Sequence, residues 1–285
     1  MTLNTTASFG ADSVGAAPEA LGVLQPLLAT AQASAIAVSG GVDSMTLTHV
    51  AMAAMPEKPV VFHAVSPAVP ASATARVRVH AARHGWDLRV VDAGEMRDAR
   101  YIRNPVNRCY FCKTNLYEFI RREWAGPLFS GANLDDLSDY RPGLRAAQEH
   151  GVRHPFVEAG IDKAAVRAIA RHLRLEDVSE LPAQPCLASR VETGRPIDAT
   201  HMHLIDRVET RIRELLGPAD VRCRVRLLGL CVEIASDRLG ELDPSILREI
   251  QGLGEREAAD ARLPFMGVES YVRGSAFVSR VDDKS

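Results

Sequence analysis

The sequence predicts an α/β fold with a parallel sheet, followed by a smaller C-terminal α+β domain. Short apolar segments alternate with helical segments between residues 34 and 130, a pattern typical of βαβ units. The pattern changes after about residue 185, where a long helix precedes two adjacent strand-like segments. A chain of 285 residues also fits two domains of roughly 150 residues each. We therefore expect a mobile tail of small residues at 1–17, a first domain at 18–185 and a second at 186–285.

The first predicted domain contains four strands that are short and apolar enough to be buried in a parallel sheet. These strands are expected at Ser34–Val38, Val60–Val65, Leu88–Val91 and Leu128–Ser130. Helices are expected from about Pro18 and at Ser44–Met55, Ala71–His84 and Lys113–Trp124. Apolar residues recur at helical spacing in these segments, and Gly85 is a typical helix end.

The second predicted domain begins with a helix over Ala199–Leu216, ended by Gly217 and Pro218. Strands are expected at Val221–Leu228 and Leu230–Ala235, followed by a helical stretch and a last strand near Val268–Val272.

The composition is that of an ordinary globular protein, with 46% hydrophobic and 25% charged residues. It argues against disorder, collagen and coiled coil, and the net charge of −2 argues against a nucleic-acid partner. The first lysine or arginine is Lys58, so no export signal is expected, and no apolar run is long enough for a membrane span. An odd number of cysteines, five in all, then favours a reducing compartment, and we expect a cytoplasmic protein.

A glycine-rich turn, SGGVDS at residues 39–44, follows the first predicted strand and precedes a helix. Glycines let the backbone N–H groups approach an anion, and the start of the helix adds a partial positive charge. The alternative is an ordinary tight turn capped by serine or aspartate. The complete six-residue string at this junction favours phosphate binding, and the absence of GKS or GKT excludes a Walker A loop.

The string resembles the PP-loop of the ATP pyrophosphatase family, also called adenine nucleotide alpha hydrolase-like proteins. This resemblance implies that ATP is cleaved between its α and β phosphates and that pyrophosphate binds in the loop. The implied nucleotide-binding residues are Ser39, Gly40, Gly41, Asp43, Ser44, Lys113, Gly131 and Asn133. Asp135 and Asp139 follow the fourth predicted strand and are candidate Mg²⁺ ligands, since Mg²⁺ prefers oxygen atoms. A solvated acidic loop is the alternative.

The cysteines divide into a CxxC pair, Cys109 and Cys112, a third residue, Cys186, and two residues on predicted strands, Cys223 and Cys231. A single CxxC pair is compatible with half a zinc site, a redox pair or two buried thiols. Three cysteines around one site would suit an iron–sulfur cluster with one open iron, but Cys186 fits a core position as well. Cys223 and Cys231 are expected to be core residues or inert surface residues.

Four strings together resemble the LarE family of sulfur transferases in nickel-pincer cofactor biosynthesis. They are SGGVDS at 39–44, RCYFCK at 108–113, SGANLDDLSDYRPG at 130–143 and PCLASR at 185–190. The resemblance implies adenylylation of a carboxylate of pyridinium-3,5-biscarboxylic acid mononucleotide and replacement of oxygen by sulfur. In single-cysteine members the cysteine matching Cys186 is the sacrificial sulfur donor. Members with three cysteines bind a [4Fe-4S] cluster instead, which here implies Cys109, Cys112 and Cys186 as ligands.

The same resemblance implies a homo-oligomer and a substrate-phosphate site in the second domain. Arg222, Arg224 and Arg226 alternate with apolar residues, so their guanidinium groups share one strand face. Like charges in a row repel unless an anion or a carboxylate is near, and arginine suits bidentate phosphate binding. The family match implies Arg222 and Arg224 as substrate-binding residues, with Arg190 and Glu209 as further candidates. A polar solvent face is the alternative.

Other functions stay open at this point. A tRNA-thiolating PP-loop enzyme would use the same ATP chemistry, although the net charge is −2 and the arginine strand is the only obvious basic stripe. An ammonia-using synthetase of the NAD synthetase kind would share the PP-loop, but such an enzyme would have no need of the three cysteines. A non-catalytic nucleotide- or metal-binding module is a third alternative.

Overall fold

A computed structural model of the chain describes residues 16–138, 141–182, 185–217 and 221–271. Residues 1–15 of the predicted tail lie outside these ranges, as does Asp139 of the predicted magnesium loop. The first helix begins at Ala16, so the last two residues assigned to the tail, Ala16 and Ala17, are helical.

The described residues form eight strands, twelve α-helices and three short 3-10 helices. The strands are β1 (Ala35–Ala37), β2 (Val60–Ala64), β3 (Asp87–Val91), β4 (Leu128–Ser130), β5 (Val152–Arg153), β6 (Val221–Arg226), β7 (Gly229–Ile234) and β8 (Phe265–Ser270). The α-helices are α1 (Ala16–Ala29), α2 (Val42–Ala54), α3 (Ala71–His84), α4 (Ala99–Ile102), α5 (Arg108–Glu123), α6 (Pro142–Glu149), α7 (Pro155–Glu158), α8 (Lys163–His172), α9 (Glu176–Ser179), α10 (Ala199–Leu216), α11 (Ser236–Gly240) and α12 (Pro244–Asp260). The 3-10 helices are Glu95–Arg97, Leu134–Leu137 and Leu187–Arg190. None of these helices combines the length and apolar character needed to cross a bilayer.

The described residues divide into two compact units. The first contains those within Met1–Val65, Ala71–Glu95 and Cys109–Gln184, and the second those within Ser66–Pro70, Met96–Arg108 and Pro185–Ser285. The second unit therefore takes two segments from the range 18–185, in addition to residues after 185.

The first unit contains a five-stranded parallel sheet, which confirms the predicted α/β class. The strand order is β3-β2-β1-β4-β5, and Ala37 at the end of β1 pairs with Ser130 at the end of β4. The chain runs outward from β1 to β3 and then returns to the other side of β1 with β4. This reversal places a switch point between β1 and β4, where parallel sheets open a crevice beyond the carboxyl ends of their strands.

Both faces of this sheet are covered, as parallel sheets require. Ile36 packs in one apolar cluster with residues of α1, α2 and α8. Ala35 and Ala37, which point to the opposite face, pack in a second cluster with residues of α5 and α6. The strands are therefore held rigidly, and the turns that follow them have fixed starting points.

Most element bounds agree with the sequence-based prediction to within a few residues, and three differences are larger. The predicted helix Lys113–Trp124 begins at Arg108 instead, because no glycine or proline interrupts residues 108–112. The last strand was expected near Val268–Val272 and begins earlier, at Phe265; Val272 lies outside the described residues. The fifth strand of the first sheet, β5, was not predicted because it has only two residues.

The second unit contains a three-stranded sheet in the order β6-β7-β8. β6 and β7 pair antiparallel, and Arg222 stands opposite Glu233. β8 pairs parallel with β7, and helices α10 and α12 pack against the sheet. The strands alternate their side chains between the two faces, so all three arginines of β6 project to the same side.

Candidate functional site

The turn between β1 and α2 forms a closed loop in which two serines face each other. The Oγ atoms of Ser39 and Ser44 lie 3.2 Å apart, and the Ser39 N–H donates to Ser44 Oγ at 3.1 Å. Gly40 has a φ of +83°, and a Cβ there would lie 2.8 Å from the backbone oxygen of Ala73. Only glycine fits this position without strain. Gly41 has an ordinary φ of −81°, and a Cβ there would meet only Ser39 Oγ, at 3.6 Å.

A second turn, after β4, approaches this loop at backbone distance. A Cβ on Gly131 would lie 2.7 Å from Ser44 N and 2.8 Å from the backbone carbon of Asp43, so any side chain would displace the start of α2. Beside it, Asn133 Nδ2 donates to Asp43 Oδ1 at 3.1 Å. The sheet thus brings the predicted residues after β1 and the predicted residues after β4 to one place, at the switch point.

Lys163 completes this arrangement and was missed by the sequence-based prediction. Its ammonium group binds Asp43 Oδ2 at 2.5 Å, and its backbone N–H donates to Asp135 Oδ2 at 3.0 Å. Lys163 is the first residue of α8, which is capped by Asp162. No local pattern identifies a lysine that is 120 residues from its partner, so the sequence carries no direct signal for it.

Arg76 of α3 supports the loop from its other side. Its Nη1 donates to the Gly40 carbonyl oxygen at 2.8 Å. This residue was also missed, because only the packing of α3 beside the loop brings it there.

The acidic loop after β4 is a 3-10 helix, Leu134–Leu137, with a capping box at its start. Asn133 Oδ1 accepts the Asp135 N–H at 3.0 Å, and Asp136 Oδ2 accepts the Asn133 N–H at 3.1 Å. Arg141 binds Asp136 Oδ1 at 2.8 Å. The described carboxylates therefore shape the loop through protein contacts, and the predicted Mg²⁺ ligand Asp135 also accepts from Lys163.

Lys113 directly follows Cys112 on α5. Its Nζ is 5.8 Å from the centre of the Tyr117 ring, within cation–π range. A Cβ on Gly143 would lie 3.1 Å from Lys113 Cγ, so glycine at 143 leaves room for the lysine stem.

A serine and a histidine meet at the end of β4, and neither was singled out from the sequence. Ser130 Oγ and His154 Nδ1 lie 2.8 Å apart. Burial lowers the pKa of His154, so its imidazole is neutral at neutral pH.

The cysteines occupy three different settings, and within the described part of the chain none of them forms a disulfide. Cys109 and Cys112 are half-buried in the first two turns of α5. Cys186 is half-buried in the second unit, just before the 3-10 helix Leu187–Arg190. Cys223 and Cys231 are buried on β6 and β7, as expected of core residues. Burial raises the pKa of Cys223 well above its usual value and that of Cys231 to about 12, so both thiols stay protonated.

Arg190 and Glu209 form a fully buried ion pair in the second unit. Arg190 Nε and Nη2 donate to the two carboxylate oxygens of Glu209 at 2.8 and 2.9 Å. Burial alone would raise the pKa of Glu209, but Arg190 and Arg213 outweigh it and hold that pKa below its usual value. Arg190 Nη1 also donates to the Pro185 carbonyl oxygen at 2.6 Å and to Ser189 Oγ at 2.9 Å. The ion pair therefore anchors the segment that carries Cys186.

The arginines of β6 lie on one face, as the alternation predicts, and carboxylates contact Arg224 and Arg226. Arg224 Nε donates to Glu233 Oε2 at 2.9 Å. Arg226 binds both Glu233 Oε1 and Glu269 Oε2, each at 2.9 Å. The guanidinium carbon of Arg222 lies 5.3 Å from the centre of the Tyr271 ring. The repulsion expected from the sequence is thus offset by glutamates on β7 and β8, and the face is not a solvated one because Arg222 and Arg224 are buried.

Comparison with known proteins gives three relatives, while no family model matches the chain. An uncharacterized protein of Synechocystis sp. is 38% identical over 198 residues, which cover 66% of this chain and 71% of that protein. An uncharacterized protein of Methanocaldococcus jannaschii is 28% identical over 206 residues, covering 71% of this chain and 77% of that protein.

The third relative has a named activity. It is the pyridinium-3,5-bisthiocarboxylic acid mononucleotide synthase of Lactiplantibacillus plantarum, 28% identical over 160 residues, which cover 54% of this chain and 57% of the synthase. Its similarity supports the LarE group of PP-loop proteins, in agreement with the loop geometry at the switch point. At 38% identity over 71% of the Synechocystis protein, the chain belongs to that protein's family. Its own five-stranded parallel sheet is consistent with the PP-loop type of α/β fold.

Proposed function

We propose that the chain is an ATP-dependent sulfur transferase that converts a carboxylate of pyridinium-3,5-biscarboxylic acid mononucleotide into a thiocarboxylate. The name of the Lactiplantibacillus relative, a bisthiocarboxylic acid mononucleotide synthase, supports this substrate and product. The ATP-dependent step rests on one observation, the backbone contact between the Gly131 turn and the start of α2. Two adjoining turns at a switch point form a natural crevice for phosphates.

The first half-reaction solves a leaving-group problem. A carboxylate is a poor acyl donor because oxide does not leave. In the proposed step, a carboxylate oxygen of the substrate attacks the α-phosphorus of ATP and pyrophosphate leaves, so that AMP becomes the leaving group. The Ser39 and Ser44 hydroxyls and the first N–H groups of α2 would bind the pyrophosphate.

Lys163 and Asp43 would set the charge of this crevice. Their contact at 2.5 Å holds the ammonium group next to the loop, where a phosphate oxygen can replace Asp43 as its partner. Mg²⁺ would neutralise charge on the phosphates, with Asp135 as a proposed ligand. A carboxylate has about four acceptor positions, so Asp135 can accept the Lys163 N–H and still bind a metal ion.

The three half-buried cysteines would hold a [4Fe-4S] cluster, which when bound would supply the transferred sulfur. Cys109 and Cys112 fit as two of its ligands, because residues three apart on a helix lie on the same face and neither cysteine forms a disulfide. Thiolates are also the ligands that iron–sulfur clusters require. Cys186 is proposed as the third ligand on its chemistry and on the family resemblance.

Arg190 has a positioning role in this proposal. Its guanidinium group is fully buried and contacts Glu209 on one side and the Pro185 and Cys186 carbonyl oxygens on the other. It therefore holds the backbone that presents Cys186. Arg222 and Arg224 are proposed to bind the substrate phosphate, and Glu209 is proposed to act at this site indirectly, through its ion pairs with Arg190 and Arg213.

The ATP-dependent step is tested by pyrophosphate release. The full chain is incubated with ATP, Mg²⁺ and the biscarboxylic acid mononucleotide, with the same mixture lacking the acceptor as control. Acceptor-dependent pyrophosphate release supports adenylylation. Release only in the presence of unmodified tRNA would instead favour tRNA thiolation, and no release with either acceptor would favour a nucleotide-binding module.

The cluster is tested separately, on protein purified without oxygen. Close to four irons and four acid-labile sulfides per chain, with a broad visible absorption band, are expected for such a cluster. Cys112→Ala should remove this band, whereas Cys223→Ala should keep it because Cys223 is a core residue. Full iron content in Cys112→Ala would contradict the assignment.

A further inference from the structure

Three histidines of the first unit converge on one point and take no part in the proposed function. His49 lies on α2, and His80 and His84 lie on α3. Each offers one ring nitrogen, and the three nitrogens lie within 4.8 Å of one another. We call His49, His80 and His84 the histidine cluster.

The local sequence explains why two of these side chains share a face. His80 and His84 are four residues apart on α3, and such residues stand one above the other along a helix. His49 meets them from the neighbouring helix α2, with ring centres 5.0 Å from His80 and 4.7 Å from His84. Trp86 packs its ring against the cluster, 5.0 Å from the centre of His49.

The distances suit a small cation. His49 Nε2 and His80 Nδ1 are 2.8 Å apart. Zn²⁺ binds histidine nitrogen at about 2.0–2.1 Å in tetrahedral geometry, which separates neighbouring ligand nitrogens by about 3.3 Å. Small rotations of the rings are enough to bring the nitrogens to this spacing. On metal binding, the proton that His49 Nε2 shares with His80 moves to His49 Nδ1, so that both facing nitrogens offer a lone pair.

Asp177 fixes the orientation of His80 in the way that carboxylates do at metal sites. His80 Nε2 lies 2.9 Å from Asp177 Oδ2, so this nitrogen carries the proton and Nδ1 is left as the lone-pair atom. Nδ1 is the nitrogen that faces His49. A carboxylate behind a ligating histidine selects the tautomer and raises the basicity of the ligand.

We propose that His49, His80 and His84 bind one divalent transition-metal ion of the zinc class, with water at the fourth position. His84 is exposed, which leaves an open side for the ion to enter and for the water ligand. Imidazole nitrogen is a preferred donor for zinc, copper and nickel.

A second cluster of metal-type ligands, Cys231, Glu233 and Glu269, lacks these properties. Arg224 and Arg226 already occupy the carboxylates of Glu233 and Glu269. Their positive charges oppose a cation, and the Cys231 thiol stays protonated because burial raises its pKa to about 12.

The consequence for the molecule is a metal-mediated link between α2 and α3, the helices next to the loop at residues 39–44. The start of α2 carries Asp43 and Ser44, and α3 carries Arg76, which donates to the Gly40 carbonyl oxygen. A metal ion held by both helices would stabilise the packing of α2 and α3 that places Arg76 against Gly40. Because it binds the folded state, the ion also raises the unfolding temperature.

The test is zinc binding by the full chain after removal of metals with a chelator. The parent protein carries Cys109→Ser, Cys112→Ser and Cys186→Ser, and every variant is made in this parent. The outcome therefore does not depend on the proposed cluster. Calorimetric titration with Zn²⁺ should give one site per chain and an increase in unfolding temperature. His84→Ala should abolish both, whereas His172→Ala, which removes an exposed histidine of α8, should change neither.

Asp177→Asn provides a second test, because its side chain is 56% exposed and the change does not threaten folding. It should weaken zinc binding about 10- to 100-fold while the stoichiometry stays at one. Equal zinc affinity in His84→Ala and its parent, or no binding by the parent chain, would overturn the proposal.

Discussion

The phosphate loop and the arginine network both gather charged groups, but they neutralise those charges in different ways. We define the phosphate loop as residues 39–44 with Gly131, Asn133 and Lys163, and the arginine network as Arg190, Arg213, Arg224 and Arg226 with their glutamate partners. The side chains of Lys163 and Asp43 are 32% and 26% exposed, whereas those of Arg190 and Glu209 are each 1% exposed. An exposed pair exchanges partners easily, and a buried one does not, since a charge left alone in the interior is costly. The Lys163–Asp43 pair can therefore give way to a charged ligand, whereas the Arg190–Glu209 pair holds the fold.

The largest effect is expected in the arginine network. Glu209→Gln leaves Arg190 buried without its carboxylate, and breaking such a buried pair from one side costs about 3–5 kcal/mol of unfolding free energy. Urea unfolding measures this loss. The matched control, Glu214→Gln, breaks an exposed pair with Arg211 and should cost less than about 1 kcal/mol. Equal losses in the two variants would contradict the distinction between the regions.

A pair of adjacent glycines tests the shape of the phosphate loop. Gly40→Ala forces a side chain into a φ of +83° and against Ala73 O, which should cost about 1–3 kcal/mol. Gly41→Ala meets no such obstacle and should unfold at the same urea concentration as the unaltered chain. If Gly41→Ala nevertheless weakens ATP binding, measured by titration, the phosphates approach that backbone closely. Equal stability of the two variants would show that the loop has a different conformation.

Lys163→Met tests whether the Lys163–Asp43 ion pair contributes more to ATP-dependent activity than to the stability of the fold. Because the pair with Asp43 is partly exposed, its loss should change the unfolding free energy by about 0–1 kcal/mol. ATP-dependent pyrophosphate release should fall strongly, since the removed charge stands where phosphates would bind, and Lys163→Arg should restore part of it. A variant with unchanged turnover would remove Lys163 from the site.

The smallest structural disturbance comes from labelling the thiols of the apoprotein. Iodoacetamide should modify Cys109, Cys112 and Cys186, which are half-buried, and spare Cys223 and Cys231, which are buried and protonated. Mass spectrometry of peptides from the folded chain gives the modified fraction at each residue. Rapid modification of Cys223 would mean that the second sheet opens readily.

Several features followed from local patterns because their causes are local. The alternation of apolar strands and helices predicted the α/β class, and a turn rich in glycine and serine predicted the loop after β1. The period of two along β6 predicted that its arginines share a face. In each case the backbone geometry is set over a few residues, so the types of neighbouring residues are enough to predict the structure.

Contacts between residues that are distant in the sequence became visible only in the tertiary structure. The sequence indicated a row of arginines but not Glu233, whose negative charge offsets the repulsion between them. It also carried no sign that Lys163 reaches Asp43. The spacing of His80 and His84 was a visible signal that the sequence-based predictions left unused, yet only the packing of α2 on α3 adds His49. Asp177 lies 97 residues from His80 in the sequence, and only the fold brings its carboxylate to the His80 ring. Electrostatic and hydrogen-bonding contacts depend on distance in space, and the packing of the helices on the sheet sets that distance.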